Sequence, residues 1–95
     1  LYNADKYREC LTASGRAIEL DPDNSAAHYV RSAALQRLGE FDQAIAAGEV
    51  AVKLNPFSAQ AYQARGCASG EKGDLDKCLA DLSQAIRLDP SEAAY

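Results

Sequence analysis

Apolar and small residues recur every three or four positions along most of the chain, and short polar stretches interrupt them at regular intervals. Because this spacing places the apolar side chains on one face of an α-helix, the pattern predicts an all-α protein. The predicted helices span about residues 6–20, 25–38, 41–54, 59–72 and 75–88. The first residues are interpreted as the end of an earlier helix with a turn at Ala4-Asp5, and the residues from Ser91 onward as the start of a sixth helix.

Residues that end or begin helices support these bounds. Gly39 and Gly73 follow predicted helices at the position where a left-handed residue commonly ends a helix. Asn24 or Ser25 is expected to cap the second helix, because short polar side chains accept hydrogen bonds from the free amides of a first turn. Asp74 is expected to do the same for the fifth helix, where its negative charge also suits the helix dipole.

Three prolines, Pro22, Pro56 and Pro90, lie 34 residues apart (56 − 22 = 34 and 90 − 56 = 34), and each follows Leu-Asp or Leu-Asn. Alignment of the chain on these prolines brings similar residues into register. The matched triples are Tyr7/Phe41/Leu75, Cys10/Ala44/Cys78, Leu11/Ile45/Leu79, Ala17/Ala51/Ala85, Ile18/Val52/Ile86 and Leu20/Leu54/Leu88. A fixed period of this length indicates a repeat that contains two helices per unit.

A 34-residue period with two amphipathic helices per unit, alanines at fixed places and a closing proline resembles the tetratricopeptide repeat. The resemblance covers the whole chain and implies an α-solenoid, in which antiparallel helix pairs stack into a right-handed superhelix of about five helices plus the start of a sixth. Residues 1–95 are then expected to form a single array. Its predicted divisions are a partial repeat (1–24), two full repeats (25–58 and 59–92) and the start of a further repeat (93–95).

The chain departs from the family pattern at the places of an opening tryptophan, a Leu-Gly pair and a large aromatic residue of the second helix. The tryptophan is replaced by His28 or Tyr62, and the Leu-Gly pair by Arg31-Ser32 or Arg65-Gly66. The large aromatic residue of the second helix is replaced by Ser14, Gly48 or Leu82. We therefore expect less side-chain packing between helices than in a family member that keeps these residues. The helix at 59–72 contains two glycines, each costing roughly 1 kcal/mol relative to alanine, and is expected to be the weakest.

Charge and composition narrow the class of partner and the compartment. The net charge is −4, from 14 acidic and 10 basic residues, so the sequence offers no basic stripe for the phosphates of nucleic acid. No apolar run approaches the length that spans a bilayer, so a membrane is not a predicted partner either. The three cysteines form no C-x-x-C pair, and their odd number argues against a disulfide framework. A reducing compartment, the cytoplasm, is the predicted location.

Few residues are candidates for catalysis or metal binding. His28 is the only histidine, and it aligns with Tyr62, which favours packing at a helix start over a catalytic base. One histidine and three separated cysteines lack the ligand spacing of a zinc site. Cys10 and Cys78 align with Ala44 and are interpreted as small, inert fillers. We therefore predict no enzymatic activity, no metal and no cofactor.

In the family that this chain resembles, partners lie in a concave groove lined by the first helix of each repeat. The resemblance implies a set of partner-binding residues, termed here the groove set: Tyr29, Val30, Ala33, Gln36, Arg37, Gln60, Gln63, Ala64, Cys67 and Gly70. Tyr29 is expected to act as an amphipathic anchor and Arg37 as a charged contact, since these residue types are enriched at interface hot spots. Cys67 aligns with Ala33, and both a structural role and an accessible thiol remain open for it.

Some family members hold a terminal carboxylate with lysine, asparagine and arginine side chains, but the matching places here carry Tyr29, Val30, Ala33, Gln60 and Ala64. The predicted function is a protein–protein interaction scaffold that docks a peptide or helix of a partner protein in the groove. The alternative is a passive spacer or a self-association element. In that case, uncapped ends carrying apolar residues such as Leu79 pair into a homo-oligomer.

Overall fold

The computed structural model describes residues 4–89, which form five α-helices and no β-strand. The helices are α1 (Ala4–Leu20), α2 (Ser25–Arg37), α3 (Phe41–Leu54), α4 (Ala59–Lys72) and α5 (Leu75–Leu88). The predicted turn at Ala4-Asp5 is wrong, because both residues belong to α1. The Asp5 carboxylate lies in the first turn of that helix, where the dipole favours negative charge. The interpretations of residues 1–3 and of Ser91 onward concern positions outside the described residues.

Side-chain caps begin three of the helices, as the sequence predicts for two of them. The side chains of Asn24, Ser58 and Asp74 each accept a hydrogen bond, at 3.2 Å, from the backbone N–H three residues later. Asn24, rather than Ser25, is therefore the cap of α2. Gly39 and Gly73 follow α2 and α4 with φ of +84° and +108°, the left-handed angles that favour glycine.

Each helix packs against the next one in the chain, and α2 also contacts α4. By contrast, α1, α3 and α5 make no such contacts with one another within residues 4–89. When the helices on one side of a stack contact one another and those on the other side do not, the stack curves toward the side that is in contact. The helices α2 and α4 therefore lie on the concave side, and α1, α3 and α5 lie on the outer side.

The core of this stack consists mainly of small residues. Ten of the eleven buried hydrophobic residues within 4–89 are alanines, and the other is Leu35. Leu35 packs with Ala44, Ala47 and Ala68, and Leu11 closes this cluster from α1. Because an alanine buries only one methyl group, each contributes little hydrophobic free energy, and the helices must approach closely to gain dispersion contacts.

The helices α3 and α4 approach each other closely at Gly48. A Cβ atom added there would lie 2.8 Å from the Cβ of Arg65 and 2.9 Å from its Cα. Real Cβ atoms do not come this close to a backbone, so only glycine fits at this crossing without a shift of the helices. The missing aromatic residue at this place is thus replaced by direct contact between two helix backbones.

Polar side chains join the helices where alanine leaves little apolar surface. The Ser32 hydroxyl of α2 donates to the Ala44 carbonyl of α3 at 2.6 Å, and the Ser25 hydroxyl donates to the Ala51 carbonyl at 2.9 Å. Every buried side-chain nitrogen and oxygen atom within residues 4–89 has a hydrogen-bond partner. These hydroxyls therefore cross-link neighbouring helices without leaving a polar group unpaired.

A bidentate ion pair links α4 to α5. The Arg65 guanidinium donates to both carboxylate oxygens of Asp81, at 2.9 and 2.7 Å, and the side chains are 21% and 6% exposed. This hydrogen bond raises the pKa of Arg65 above its ordinary value, so the guanidinium stays charged. Arg65 also lies over the Tyr62 ring, 5.5 Å from its centroid. One side chain thus joins α4 to α5 at the place where α4 meets Gly48 of α3.

This geometry predicts an asymmetry between the two partners of the ion pair. Arg65→Ala leaves the more deeply buried Asp81 carboxylate without its partner and should lower the free energy of unfolding by about 3 kcal/mol. Asp81→Ala should cost only about 2 kcal/mol, since the partly exposed guanidinium can turn toward water. Urea denaturation of the two variants measures the difference.

Arg31→Ala is the matched control, because Arg31 holds the position equivalent to Arg65 and makes no ion pair with another described residue. It should change the free energy of unfolding by roughly 0.5 kcal/mol or less. An Asp81→Ala variant as unstable as Arg65→Ala would contradict this account of the ion pair.

Candidate functional site

The concave side of the stack carries a hollow of about 260 Å³ between α2 and α4. Four of its lining residues come from α2 and four from α4, and all eight belong to the groove set. We call it the amide hollow and define it by these residues: Tyr29, Ala33, Gln36, Arg37, Gln60, Gln63, Ala64 and Cys67. Direct packing between α2 and α4 brings these residues together, although they are more than twenty positions apart in sequence.

Two members of the groove set lie outside the amide hollow. Val30 is 39% exposed and follows Tyr29 on α2, but it does not line the hollow. Gly70 faces α5, since a Cβ atom added there would lie 2.8 Å from the Cys78 sulfur. The missing side chain of Gly70 thus leaves space for Cys78 of α5.

Primary amides dominate the polar lining of the hollow. Three of the five glutamines in the chain, Gln36, Gln60 and Gln63, line it together. The Gln36 amide nitrogen lies 3.4 Å from a carboxylate oxygen of Glu71, which is a long hydrogen bond at the rim. The side chains of Gln60 and Gln63 form no hydrogen bond with another residue of the described chain. The hollow thus presents amide donors and acceptors that are free to pair with a ligand.

Arg37 is the only charged residue that lines the amide hollow. It is exposed at the end of α2, and the residues between 4 and 89 contribute no ion-pair partner to it. Tyr29 lies about two helical turns away along α2. It is half-buried and lines the same space. The hollow therefore combines an aromatic wall and a cationic end with a lining of amides.

Small residues complete the hollow. Ala33 is exposed on α2, Ala64 is buried on α4, and Cys67 is half-buried beside them. Burial raises the pKa of the Cys67 thiol, and nearby Cys78 raises it further, whereas Arg37 acts in the opposite direction. Because the net shift is upward, Cys67 is mainly a neutral thiol near neutral pH and lacks the lowered pKa of a reactive cysteine.

The remaining candidate residues lie elsewhere. His28 stands near the start of α2, where its Nε2 atom is 3.0 Å from the Pro22 carbonyl oxygen, and it borders an outer hollow between α2 and α3. Cys78 packs on Gly70, in keeping with the sequence interpretation of a filler.

No group of three or more His, Cys, Asp or Glu side chains in the described part of the chain is arranged to hold a metal. Each helix there is too short or too polar to cross a bilayer.

The ion pair that holds α4 in place was not predicted from the sequence. Asp81 aligns with Ala13 and Ala47, so an acidic residue stands where the other repeats carry alanine. The aspartate in place of alanine, together with the arginine at position 65, is the feature of the sequence that could have indicated the ion pair. It matters for the site because α4 supplies half of the lining of the amide hollow.

Family models described as tetratricopeptide repeat match residues 15–46 and 59–92. Among curated proteins, no sequence matches the chain significantly. Solved structures do match. A crystal structure of MamA is 30% identical with a TM-score of 0.77, and the alignment covers 96% of this chain and 53% of that one. MamA 41-end from Desulfovibrio magneticus RS-1 is 27% identical with a TM-score of 0.77, covering 90% and 49%.

YrrB, described as a TPR protein with an unusual peptide-binding site, superposes with a TM-score of 0.82 at 24% identity, which supports the fold alone. The alignment covers 94% of this chain and 46% of YrrB. The chain thus spans about half the length of the structures that it matches. The repeat matches together with the five-helix stack show that this chain belongs to the tetratricopeptide repeat family, a class of protein-interaction scaffolds.

Proposed function

We propose that the chain docks a segment of a partner protein in the amide hollow. The observation that carries the proposal is the convergence of eight groove-set residues, from two helices distant in sequence, on one concave space. The lining is amphipathic and is not already filled by the chain's own side chains. Concave surfaces that combine an apolar wall with a few polar groups are common binding sites in proteins.

Tyr29 and Arg37 are the proposed principal contacts. A tyrosine ring offers apolar area and a hydroxyl at small entropic cost, and a guanidinium offers several donors in a fixed plane. Both residue types are enriched at the energetic centres of interfaces. The proposed role is binding without catalysis, in a reducing compartment such as the cytoplasm, and without nucleic acid or membrane as a partner.

The proposal predicts the effect of removing the two principal contacts. For a partner segment isolated with this chain, Tyr29→Ala combined with Arg37→Ala should weaken binding by about 2 kcal/mol or more, roughly thirtyfold in Kd. Isothermal titration calorimetry measures the Kd of the wild-type chain and of the variant. Arg31→Ala combined with Gln43→Ala is the control, because both residues line an outer hollow and should leave Kd unchanged. Undiminished affinity of the Tyr29/Arg37 variant would exclude the amide hollow as the docking site.

A second candidate function, self-association, is favoured by the exposed apolar face of α5. Leu75, Leu79 and Ile86 are 66%, 64% and 46% exposed. In the proposed division into repeats 25–58 and 59–92, these residues correspond to Phe41, Ile45 and Val52 of α3, which are half-buried where α4 packs on α3. We propose that a second copy of the chain covers the face of α5, as α4 covers that of α3.

Self-association through α5 should depend on concentration and on Leu79. Leu79→Glu places a charge in the apolar face and should reduce the dimer fraction in sedimentation velocity runs at high micromolar concentration. Ser83→Glu, at an exposed polar position of the same helix, is the control and should leave the distribution unchanged. A strictly monomeric wild-type chain at that concentration would rule out this second function.

A further inference from the structure

We propose that the outer hollow between α2 and α3 binds an aspartate or glutamate side chain of a partner protein, as Arg65 binds Asp81 within the chain. The outer hollow has a volume of about 280 Å³ and is defined by these residues: His28, Arg31, Gln43, Ala46, Ala47 and Val50. It shares no lining residue with the amide hollow and is independent of docking there.

Two equivalent arginines have different surroundings. Arg31 of α2 and Arg65 of α4 are 34 residues apart (65 − 31 = 34), and both are half-buried. Asp81 pairs with Arg65, but the residue 34 positions before Asp81 is Ala47 (81 − 34 = 47). Arg31 and Ala47 line the outer hollow together. The chain thus has an arginine at both places and supplies a carboxylate at only one of them.

The ion pair of α4 and α5 shows which group fits such an arginine. The Arg65 guanidinium donates to the two carboxylate oxygens of Asp81 at 2.9 and 2.7 Å. Beside Arg31, the methyl group of Ala47 takes the place of that carboxylate, and no carboxylate within residues 4–89 pairs with Arg31. A guanidinium presents its donors in a fixed plane that matches the two oxygens of a carboxylate. A carboxylate from outside the chain is therefore the complement of this site.

The charge of the lining also favours an anion. The described residues that line the outer hollow include Arg31 and His28 but no aspartate or glutamate. An incoming carboxylate therefore meets no like charge in the lining, and complementary charge of this kind gives specificity between proteins. The His28 Nε2 atom lies 3.0 Å from the Pro22 carbonyl oxygen, so Arg31 is the principal donor for a ligand.

The apolar border of the outer hollow indicates a protein rather than a small free acid. Val50 is 40% exposed, and Ala46 beside it is exposed as well. A small acid bound to Arg31 would leave these side chains in water, whereas a protein segment can cover them with apolar residues that flank its acidic one. An arginine surrounded by contacts that exclude water is a common energetic centre of a protein interface.

Titration with sodium acetate tests whether the Arg31 guanidinium is available. The arginine Nε–Hε resonances in ¹⁵N–¹H NMR spectra report on each guanidinium separately. We expect a saturable shift at Arg31 and none at Arg65, because Asp81 already occupies the donors of Arg65. Sodium chloride at the same ionic strength is the control and should not reproduce the shift. An Arg31 resonance that does not respond to acetate overturns the proposal.

Two variants test the equivalence of the two arginines. Ala47→Asp supplies the carboxylate from within the chain and should abolish the acetate response of Arg31. Asp81→Ala removes the carboxylate beside Arg65 and should create an acetate response there. An unchanged response of Arg31 in a folded Ala47→Asp variant would contradict the proposed geometry. If circular dichroism shows that Ala47→Asp is unfolded, the absence of a new Arg65 response in Asp81→Ala contradicts it instead.

An end-blocked pentapeptide with a central aspartate and a leucine at each end tests for a protein ligand. Its Kd should be about tenfold lower than that of acetate, because the leucines cover Val50 and Ala46. Val50→Ser should remove most of this gain, and the peptide with asparagine in place of aspartate should not bind. Arg31→Gln should abolish binding of the aspartate peptide, whereas Arg87→Gln, at an exposed position of α5, is the control and should not change it.

The remaining outcomes separate a protein ligand from other anions. If acetate shifts the Arg31 resonance but the pentapeptide binds no more tightly than acetate, the outer hollow takes a small free acid and the proposed protein ligand is wrong. If inorganic phosphate binds more tightly than both carboxylates, the occupant is a phosphate group and the proposal is wrong as well.

Discussion

Close contact between helices through small side chains is the constraint on which this structure depends. Ten of the eleven buried hydrophobic residues within 4–89 are alanines, so little side-chain volume fills the space between neighbouring helices. The helices gain packing energy only if their backbones approach closely, and they do so where Gly48 meets Arg65 and where Ala44 is completely buried. Direct packing of α2 on α4, which forms the concave surface, is a further contact of this stack.

The same spacing explains why polar groups take part in the interior. Thin apolar contacts leave room for the Ser32 hydroxyl to bond the Ala44 carbonyl, and for Arg65 to reach Asp81 across the contact between α4 and α5. A buried ion pair contributes less to net stability than to a unique arrangement, because desolvation offsets much of its attraction. Here it links α5 to α4, the helix that carries half of the amide hollow. Interior polarity and the amide hollow are therefore connected through one helix.

Much of the fold could be predicted from the sequence because its signals are local and repeated. The period of the prolines, the glycines at 39 and 73 and the caps at Asn24 and Asp74 determine helix bounds that the structure reproduces. The start of α1 was missed, since Ala4-Asp5 has no proline or glycine signal and was interpreted from its place in the repeat. The resemblance to the tetratricopeptide repeat followed from the 34-residue period, the two helices per unit, the alanines at fixed places and the closing proline.

The site was less predictable, because it depends on which way side chains face between helices. Register places Gly70 in the groove set, but it does not reveal that the missing side chain of this residue leaves space for Cys78 of α5. Asp81 was passed over because its partner lies in another helix, sixteen residues away. The raised pKa of Cys67 likewise depends on burial by neighbours, which no local pattern reveals.

The most direct test of close helix contact is the free energy of unfolding of Gly48→Ala compared with Gly15→Ala. Both changes favour an isolated helix by about 1 kcal/mol. A Cβ atom at position 15 meets nothing within 4 Å, so Gly15→Ala should stabilise the protein, whereas at position 48 it meets the Arg65 backbone at 2.9 Å. We predict that Gly48→Ala lowers the free energy of unfolding by about 1–3 kcal/mol. Stabilisation by both substitutions would contradict the account, since it would mean that α3 and α4 are not in backbone contact.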